Sequence, residues 1–192
     1  MGSETPGAGN GAAVVQARYP RTVTLPDGRD VTLRLMTRAD VDAVLAFART
    51  LDPDELLYLR VNITEPGVVE RWVHYIETGR TETVLALDGD TVAGEASLLH
   101  NRTSWTRHLG EIRLQVAPPH RRRGVARLLT DEVDWIARTL NLRMLTARMT
   151  LDQTAAQGFF RQIGYQREAV LWDYVMTADG RTRNLLVATK RL

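Results

Sequence analysis

The segment of residues 112–129, IRLQVAPPHRRRGVARLL, constrains the fold of this chain more than any other, because it must pass from a strand to a helix. Apolar and polar side chains alternate up to Val116, as in a half-buried strand. Pro118 and Pro119 lack a backbone N–H, so the strand cannot continue through them. The segment therefore predicts a strand, a turn and a long amphipathic helix from Gly124 to Leu140. The apolar face of that helix consists of Val125, Leu128, Leu129, Val133, Ile136 and Leu140.

Residues 117–124, which we call the basic turn, have the composition of an anion-binding site. Arg121, Arg122 and Arg123 come directly before Gly124 and the helix. A helix N-terminus presents free backbone N–H groups and the positive end of the helix dipole. Gly124 allows a ligand to approach the backbone closely, and the small Ala126 keeps the first helical turn clear. The pattern favours a diphosphate as ligand, and a solvated basic loop is the alternative.

The rest of the chain alternates between hairpin and helix patterns. Strand-like runs flank short polar turns at 21–25 and 31–35, at 83–87 and 92–99, and at 170–176 and 185–189. Helical spacing follows a predicted capping box, Thr37 to Asp40, and it recurs at 53–59, 69–76 and 154–163. A further strand is predicted at 142–149. These elements predict an α/β (α+β) fold with one mixed sheet and helices on both faces.

The run Arg121-Arg122-Arg123-Gly124-Val125-Ala126 resembles the Gln/Arg-x-x-Gly-x-Gly/Ala signature of the GNAT superfamily of N-acetyltransferases. The resemblance extends from about Val31 to Leu192. It includes VTLRLMTRADVDAVLAF, which is similar to the opening strand and helix of many members, and Gly164-Tyr165, which resembles the Gly-Phe that ends the last helix of the family. It implies a GNAT domain over residues 21–192, with about seven mostly antiparallel strands of which the central ones splay apart.

The resemblance also implies acetyl-CoA as the acyl donor. Backbone N–H groups from Arg122 to Ala126 would hold the diphosphate of CoA, and the arginines would meet its 3′-phosphate. The main chain of Leu114–Val116 would pair with the pantetheine arm, and the N–H of Gln115 or Val116 would face the thioester oxygen as it gains negative charge. The implied cofactor-binding residues are Leu114, Gln115, Val116, Arg121, Arg122, Arg123, Gly124, Val125, Ala126, Gln153 and Phe160.

Acetyl transfer to an amine needs a proton acceptor, because a free lysine with a pKa of about 10.4 is neutral in only about one molecule in 2,500 at pH 7. Glu111 is the candidate general base, since family members that acetylate protein lysines often carry a Glu at the start of a similar strand. Strand alternation places Glu111 on the same face as Arg113 and Gln115. The alternative is a surface carboxylate paired with an arginine, and Glu95 on the preceding strand is the next candidate.

Two positions depart from the pattern of the family. Many GNAT enzymes carry a Tyr on the last helix that protonates the departing thiolate. Counting back from Gly164-Tyr165, that position holds Phe160 here, and Gln153 replaces the Asn at the start of the same helix. Either the reaction needs no such acid, as in some protein-lysine acetyltransferases that also lack the Tyr, or the site is impaired.

Three functions therefore remain open. A protein-lysine acetyltransferase is favoured by Glu111, by the absent Tyr, and by LDPDELLYLR, which resembles the Leu-Ser-x-Glu-Ser-x-Tyr-x-Arg of bacterial protein-acetylating members. An acidic acceptor pocket would favour a small-molecule amine N-acetyltransferase. Gln153 and Phe160 keep open a non-catalytic module that binds acyl-CoA.

Composition excludes several other classes of protein. The chain has no cysteine, which excludes disulfides and a cysteine nucleophile, and its four histidines fit no metal-ligand spacing, so we expect no metal. A net charge of +2 is too mild to imply nucleic acid, and no apolar stretch approaches the roughly 20 residues of a membrane helix.

We expect a cytoplasmic chain with a mobile, Gly- and Ala-rich tail over residues 1–20. The oligomeric state stays open, a homodimer included.

Overall fold

Eight strands form one open sheet in the computed structural model, which describes residues 8–52, 56, 61–101, 105–177 and 179–192. The strands are β1 (Arg21–Thr24), β2 (Asp30–Leu35), β3 (Thr81–Asp88), β4 (Thr91–His100), β5 (Leu109–Val116), β6 (Met144–Thr150), β7 (Gln166–Met176) and β8 (Thr182–Arg191). Their order in the sheet is β1-β2-β3-β4-β5-β6-β8-β7, and only the β5–β6 pair is parallel. The predicted mixed, mostly antiparallel sheet is confirmed, with eight strands rather than about seven.

Helices cover both faces of this sheet. Within the described residues they are α1 (Ala8–Ala17), α2 (Val41–Ala48), α3 (Pro66–Glu77), α4 (Val125–Thr139) and α5 (Thr154–Gln162). One core lies between the sheet and α4, with α1 and α5 packed against the same cluster, and a second core lies under α2 and α3. The predicted helix at 53–59 and most of LDPDELLYLR lie outside the described residues. No described helix is long and apolar enough to cross a membrane.

The predicted capping box at the start of α2 is present. Asp40 accepts a hydrogen bond from the Thr37 backbone N–H at 2.7 Å, and it also pairs with the Arg34 guanidinium at 2.6 Å. The Asp40 carboxylate therefore links the helix entry to β2 as well as capping the turn.

The N-terminal region differs from the prediction of a mobile tail over residues 1–20. Ala8–Ala17 is helical, and Val15 is fully buried in the core. A Cβ atom added at Gly11 would come within 2.9 Å of the Thr139 carbonyl oxygen, so the small residue lets α1 approach the end of α4 closely. Gly11, which the sequence interpretation counted toward a mobile tail, is thus required for this packing, and only tertiary contact reveals it.

A buried ion cluster fastens this region to α4. The Glu132 carboxylate accepts hydrogen bonds from Arg18 at 2.9 Å and from the Tyr19 hydroxyl at 2.7 Å, and it also pairs with Arg21. Burial acts to raise the pKa of Glu132, but the hydrogen bonds from these three side chains outweigh burial and hold the pKa below its ordinary value. The cluster holds α1 and β1 against the helix that follows the basic turn.

The sheet opens between its two central strands. β5 pairs with β6 only at Leu109↔Met144, Gly110↔Leu145 and Glu111↔Thr146, whereas β6 continues to pair with β8 as far as Thr150. From Ile112 onward the β6-facing edge of β5 therefore has no strand partner. This confirms the predicted splay of the central strands and leaves a cleft that ends at the basic turn.

Candidate active site

The basic turn folds as an open helix entry. β5 ends at Val116, a short 3₁₀ turn spans Pro118–His120, and α4 begins after Gly124, whose φ of 96° lies in the left-handed region. Among the described residues no side chain caps the N-terminus of α4, and the first turn of this helix contains no acidic residue. The N–H groups of the first turn and the positive end of the helix dipole are therefore left without a capping side chain from the described part of the chain.

Both backbone conformation and packing require a glycine at position 124. A Cβ atom at this position would lie 2.9 Å from Cδ of Pro26, in the turn between β1 and β2. The positive φ and this contact together require glycine. Sequence reasoning attributed Gly124 to ligand approach alone, because nothing local indicates that Pro26 packs there.

The three arginines of the basic turn are used differently. Arg121 donates from Nε to the Val116 carbonyl at 3.0 Å, which ties the turn to the end of β5. Arg122 and Arg123, in contrast, form no hydrogen bond or ion pair in the part of the chain that the structure describes. His120 contacts Asp88 at 3.2 Å and anchors the turn to the β3–β4 hairpin. Two guanidinium groups thus remain available beside the uncapped helix.

The end of β5 is exposed to an unusual degree for a central strand. Leu114, Gln115 and Val116 are all half-buried, although β5 has four strands on one side and three on the other. Central strands covered on both faces are normally buried throughout. The exposure follows from the splay, so an extended ligand could reach the backbone of these residues.

A cavity of about 230 Å³ lies on the face of the sheet that carries α2 and α3; we call it the Glu95 cavity. Its floor is formed by β3, β4 and β5, and α3 supplies one wall. The described residues that line it are Val61, Ile63, Val68, Arg71, Trp72, Tyr75, Thr81, Glu95, Ser97, Leu99 and Arg113. The β4–β5 register places Glu95 opposite Gln115 and Ser97 opposite Arg113, so the cavity borders the exposed end of β5.

Glu95 is a buried carboxylate held by a short chain of hydrogen bonds. Its side chain accepts from Ser97 at 3.0 Å, Ser97 contacts Thr83 at 2.9 Å, and Thr83 accepts from Trp72 Nε1 at 3.0 Å. Burial raises the pKa of Glu95 to about 7, with Ser97 and the charge of Arg113 lowering it only in part. A carboxylate with this pKa can gain and lose a proton near neutrality.

The model of the acetyltransferase (GNAT) family matches residues 45–165, which include the basic turn and all described lining residues of the Glu95 cavity. The chain belongs to the GNAT family. No curated protein matches it by sequence.

Solved GNAT structures have the same fold. The GNAT domain of S. lividans PAT has a TM-score of 0.74 at 19% identity, over 92% of this chain and 98% of that one. Ribosomal-protein-alanine N-acetyltransferase from Brucella melitensis has a TM-score of 0.71 at 23% identity, over 83% and 99%. Spermidine N-acetyltransferase from Vibrio cholerae, solved with CoA and spermine, has a TM-score of 0.69 at 18% identity, over 84% and 95%.

The GNAT positions on the last helix have structural partners of their own. Gln153 lies directly before α5, and its side-chain oxygen accepts a hydrogen bond from the Thr150 N–H at 2.9 Å, which holds the turn after β6. Phe160 packs edge-on against Phe159 and Tyr165, with ring centroids 5.4 and 5.0 Å away. Both residues follow β6, across the opening from β5. Their roles in binding CoA remain predictions.

Glu111 and Glu95 point to the same face of the sheet but lie in different surroundings. Glu111 is the last residue of β5 that pairs with β6, and its carboxylate lies 3.4 Å from both Arg113 and Arg148. It does not line the described wall of the Glu95 cavity. Sequence reasoning ranked Glu111 first and missed Arg71 and Tyr75 of the cavity, because only the packing of α3 on the sheet brings them to β4.

Proposed function

We propose that this GNAT acetyltransferase transfers an acetyl group from acetyl-CoA to a primary amine, with Glu95 as the general base. The observation that carries the proposal is the buried Glu95 carboxylate, which lines a cavity beside the exposed end of β5. As in the family, acetyl-CoA is the acyl donor.

The residues around the cleft fit CoA. The uncapped N-terminus of α4 and the unpaired guanidinium groups of Arg122 and Arg123 offer the positive charge and N–H donors that a diphosphate and a 3′-phosphate require. The β6-facing backbone of Leu114–Val116 offers hydrogen-bonding groups to the amides of a pantetheine arm. We assign to Val116 the N–H that donates to the thioester oxygen. The Ala117 N–H bonds to Ala93 of β4, so alternation turns the Gln115 N–H toward β4 and the Val116 N–H toward the open edge.

The bound thioester supplies an electrophilic carbonyl carbon, and the chain manages the protons. The amine reaches the site mainly as an ammonium ion, and the Glu95 carboxylate accepts one of its protons. The amine nitrogen then forms the new C–N bond while the C–S bond breaks. The sulfur keeps the electron pair of that bond and takes up the second proton lost by the nitrogen, so the products are an amide, CoA thiol and a protonated Glu95.

Glu95 suits the role of base better than Glu111 for electrostatic reasons. A base works best with a pKa near the working pH, and burial brings the pKa of Glu95 to about 7. Glu111 is held instead between the guanidinium groups of Arg113 and Arg148, which stabilise its charge and occupy its oxygens. In this proposal Glu111 orients the two arginines and takes no proton from the amine.

Release of CoA thiol from acetyl-CoA, measured against a panel of amines, tests the proposed function. The panel contains amino acids, spermidine and lysine-containing peptides, and product is confirmed by mass spectrometry. Amine-dependent thiol release with one acetyl group added per amine is expected. Tight binding of acetyl-CoA without any amine-dependent release would instead favour a module that only binds acyl-CoA.

A further inference from the structure

We infer that the acceptor is a primary amine that also carries a carboxylate and an apolar side chain, as an apolar α-amino acid does. This inference rests on the proposed function, since it identifies what the Glu95 cavity receives. It is carried by three observations: the charges on the cavity lining, their spacing across the strands, and the apolar remainder of the walls.

The described lining of the cavity contains a single carboxylate and two guanidinium groups. Glu95 provides the negative group, and Arg71 and Arg113 provide the positive ones. Arg71 lies exposed on α3 and forms no hydrogen bond or ion pair with the described residues, so its charge is available to a ligand. Arg113 shares its charge with Glu111 across 3.4 Å. An acceptor that pairs with the carboxylate and also with a guanidinium group needs one amine and one anionic group.

The register of the strands sets the spacing of these charges. Ser97 is the direct partner of Arg113, so Glu95 is the diagonal neighbour of Arg113 on the same face. Diagonal neighbours lie about 7–8 Å apart at the backbone, within reach of long side chains. Arg113 also lowers the pKa of Glu95 through its charge, which is consistent with this proximity. A molecule that carries an amine and a carboxylate on one carbon atom can therefore contact the side chains of Glu95 and Arg113 at the same time.

The other walls are apolar or aromatic. Val61, Ile63, Val68, Trp72, Tyr75 and Leu99 surround the polar floor. Apolar surface of this kind stabilises a bound apolar side chain by about 25 cal/mol per Å² removed from water. The cavity thus combines an amine site, an anion site and an apolar wall, which are the three parts of an apolar amino acid.

Polyamines match this lining poorly. Spermidine brings several ammonium groups, and the described walls oppose them with two arginines and offer one carboxylate. Like charges brought together at a binding site weaken binding, which selects against such a ligand. A lysine side chain of a protein supplies an amine on an apolar stem but no carboxylate for Arg71.

Matched acceptors test the inference. We would measure kcat/KM with acetyl-CoA for L-leucine and L-phenylalanine, for L-leucinol and L-phenylalaninol, which lack the carboxylate, and for spermidine and a lysine-containing peptide. The acids are expected to exceed the matching alcohols by about tenfold or more, the ordinary worth of a charge-assisted hydrogen bond. Arg71→Gln should narrow that ratio, whereas Arg138→Gln, an exposed change on the opposite face of the sheet, should keep it.

The outcomes separate the inference from the function on which it rests. Alcohols, spermidine or the peptide reacting as well as the acids would overturn the inference and leave the acetyltransferase proposal standing. An acid preference that survives intact in both Arg71→Gln and Arg113→Gln would also overturn it. Failure of every amine with a chain that still binds acetyl-CoA would contradict the proposed function, and the inference with it.

Discussion

The basic turn and the Glu95 cavity both adjoin β5, the turn at the C-terminal end of the strand and the cavity on the face that carries α2 and α3. The two regions are built in opposite ways. The basic turn is contiguous in sequence, cationic and open, and it offers backbone N–H groups that any diphosphate can use. The Glu95 cavity combines side chains from α3, β3, β4 and β5, and its central group is a buried carboxylate. If the two regions have the proposed roles, the residues that bind the donor are neighbours in the sequence, whereas the residues that select the acceptor meet only through the register of the sheet.

The buried carboxylate of the Glu95 cavity makes the stability of the fold depend on pH. The pKa of Glu95 is raised from 4.5 to about 7 in the folded chain, so the folded state binds its proton more tightly than the unfolded state. The stability associated with protonated Glu95 is fully present below pH 4.5, and it is lost as pH rises through about 7. Ionisation of Glu95 near neutral pH therefore lowers the stability of the folded chain.

The largest effect is expected when this carboxylate is neutralised. Glu95→Gln should lower kcat/KM at pH 7 by about 10²–10⁴, the usual share of a general base, with acetyl-CoA affinity unchanged. The same variant should be more stable to urea than the wild type at pH 8, and the gain should shrink toward pH 4.5. A stable variant with wild-type turnover would remove Glu95 from the mechanism.

A smaller effect is expected at the basic turn. Ala126→Glu places a carboxylate in the first turn of α4, where it favours the helix but opposes a bound diphosphate. Acetyl-CoA affinity, measured by calorimetry, should fall about tenfold to a hundredfold. Ala126→Gln, of nearly equal size and no charge, is the control and should bind at least tenfold more tightly than Ala126→Glu. This change is cleaner than one at Gly124, where any side chain would meet Pro26.

A hydroxyl group added to the ring of Phe160 on α5 should change kcat only weakly. Phe160→Tyr should raise kcat by no more than about tenfold, because an alkyl thiol titrates near pH 8.5 and water protonates its thiolate readily. The ring keeps its place beside Tyr165, so acetyl-CoA affinity should not change. A drop in kcat with intact acetyl-CoA binding would indicate that catalysis needs the apolar ring edge of Phe160. Unfolding of the variant would indicate that Phe160 serves only to pack the core.

The smallest effect is expected at Glu111. Glu111→Gln removes a partly exposed pairing with Arg113 and Arg148, and pairs of that kind contribute up to about 1 kcal/mol. We therefore expect kcat/KM at pH 7 to stay within about fivefold of the wild type. A loss as large as that of Glu95→Gln would reverse the roles of the two carboxylates and restore the hypothesis drawn from the sequence.

Most of the fold could be predicted from the chain because its signals are local. The proline pair after Val116, the arginines and the apolar period of α4 predict the strand, turn and helix. The hairpins and the family resemblance predict the mixed sheet and its splay. For the same reason the backbone course of the basic turn could be predicted, but its contacts could not: Gly124 with Pro26, Arg121 with the Val116 carbonyl and His120 with Asp88 all join segments apart in the chain.

The parts that the sequence did not reveal depend on contacts between distant segments. Helix α1 lacks an amphipathic stripe and is held by Gly11 against Thr139 and by Arg18 and Tyr19 on Glu132. The Glu95 cavity appears only when α3 packs on β3 and β4. Strand alternation cannot distinguish Glu95 from Glu111, and the family resemblance ranked Glu111 first. Burial, which raises the pKa of Glu95, is a property of the folded sheet.

The pH dependence of kcat/KM for the wild type and Glu95→Gln, with an acceptor whose amine pKa is well above 8, tests the central claim most directly. With Glu95 as base, the wild-type value rises to about pH 7 and then levels off, because the ionised carboxylate deprotonates the bound ammonium. Glu95→Gln should instead rise tenfold per pH unit without a break, since it depends on free amine, and its deficit should shrink as pH increases. A break near pH 7 that persists in Glu95→Gln would contradict the assignment.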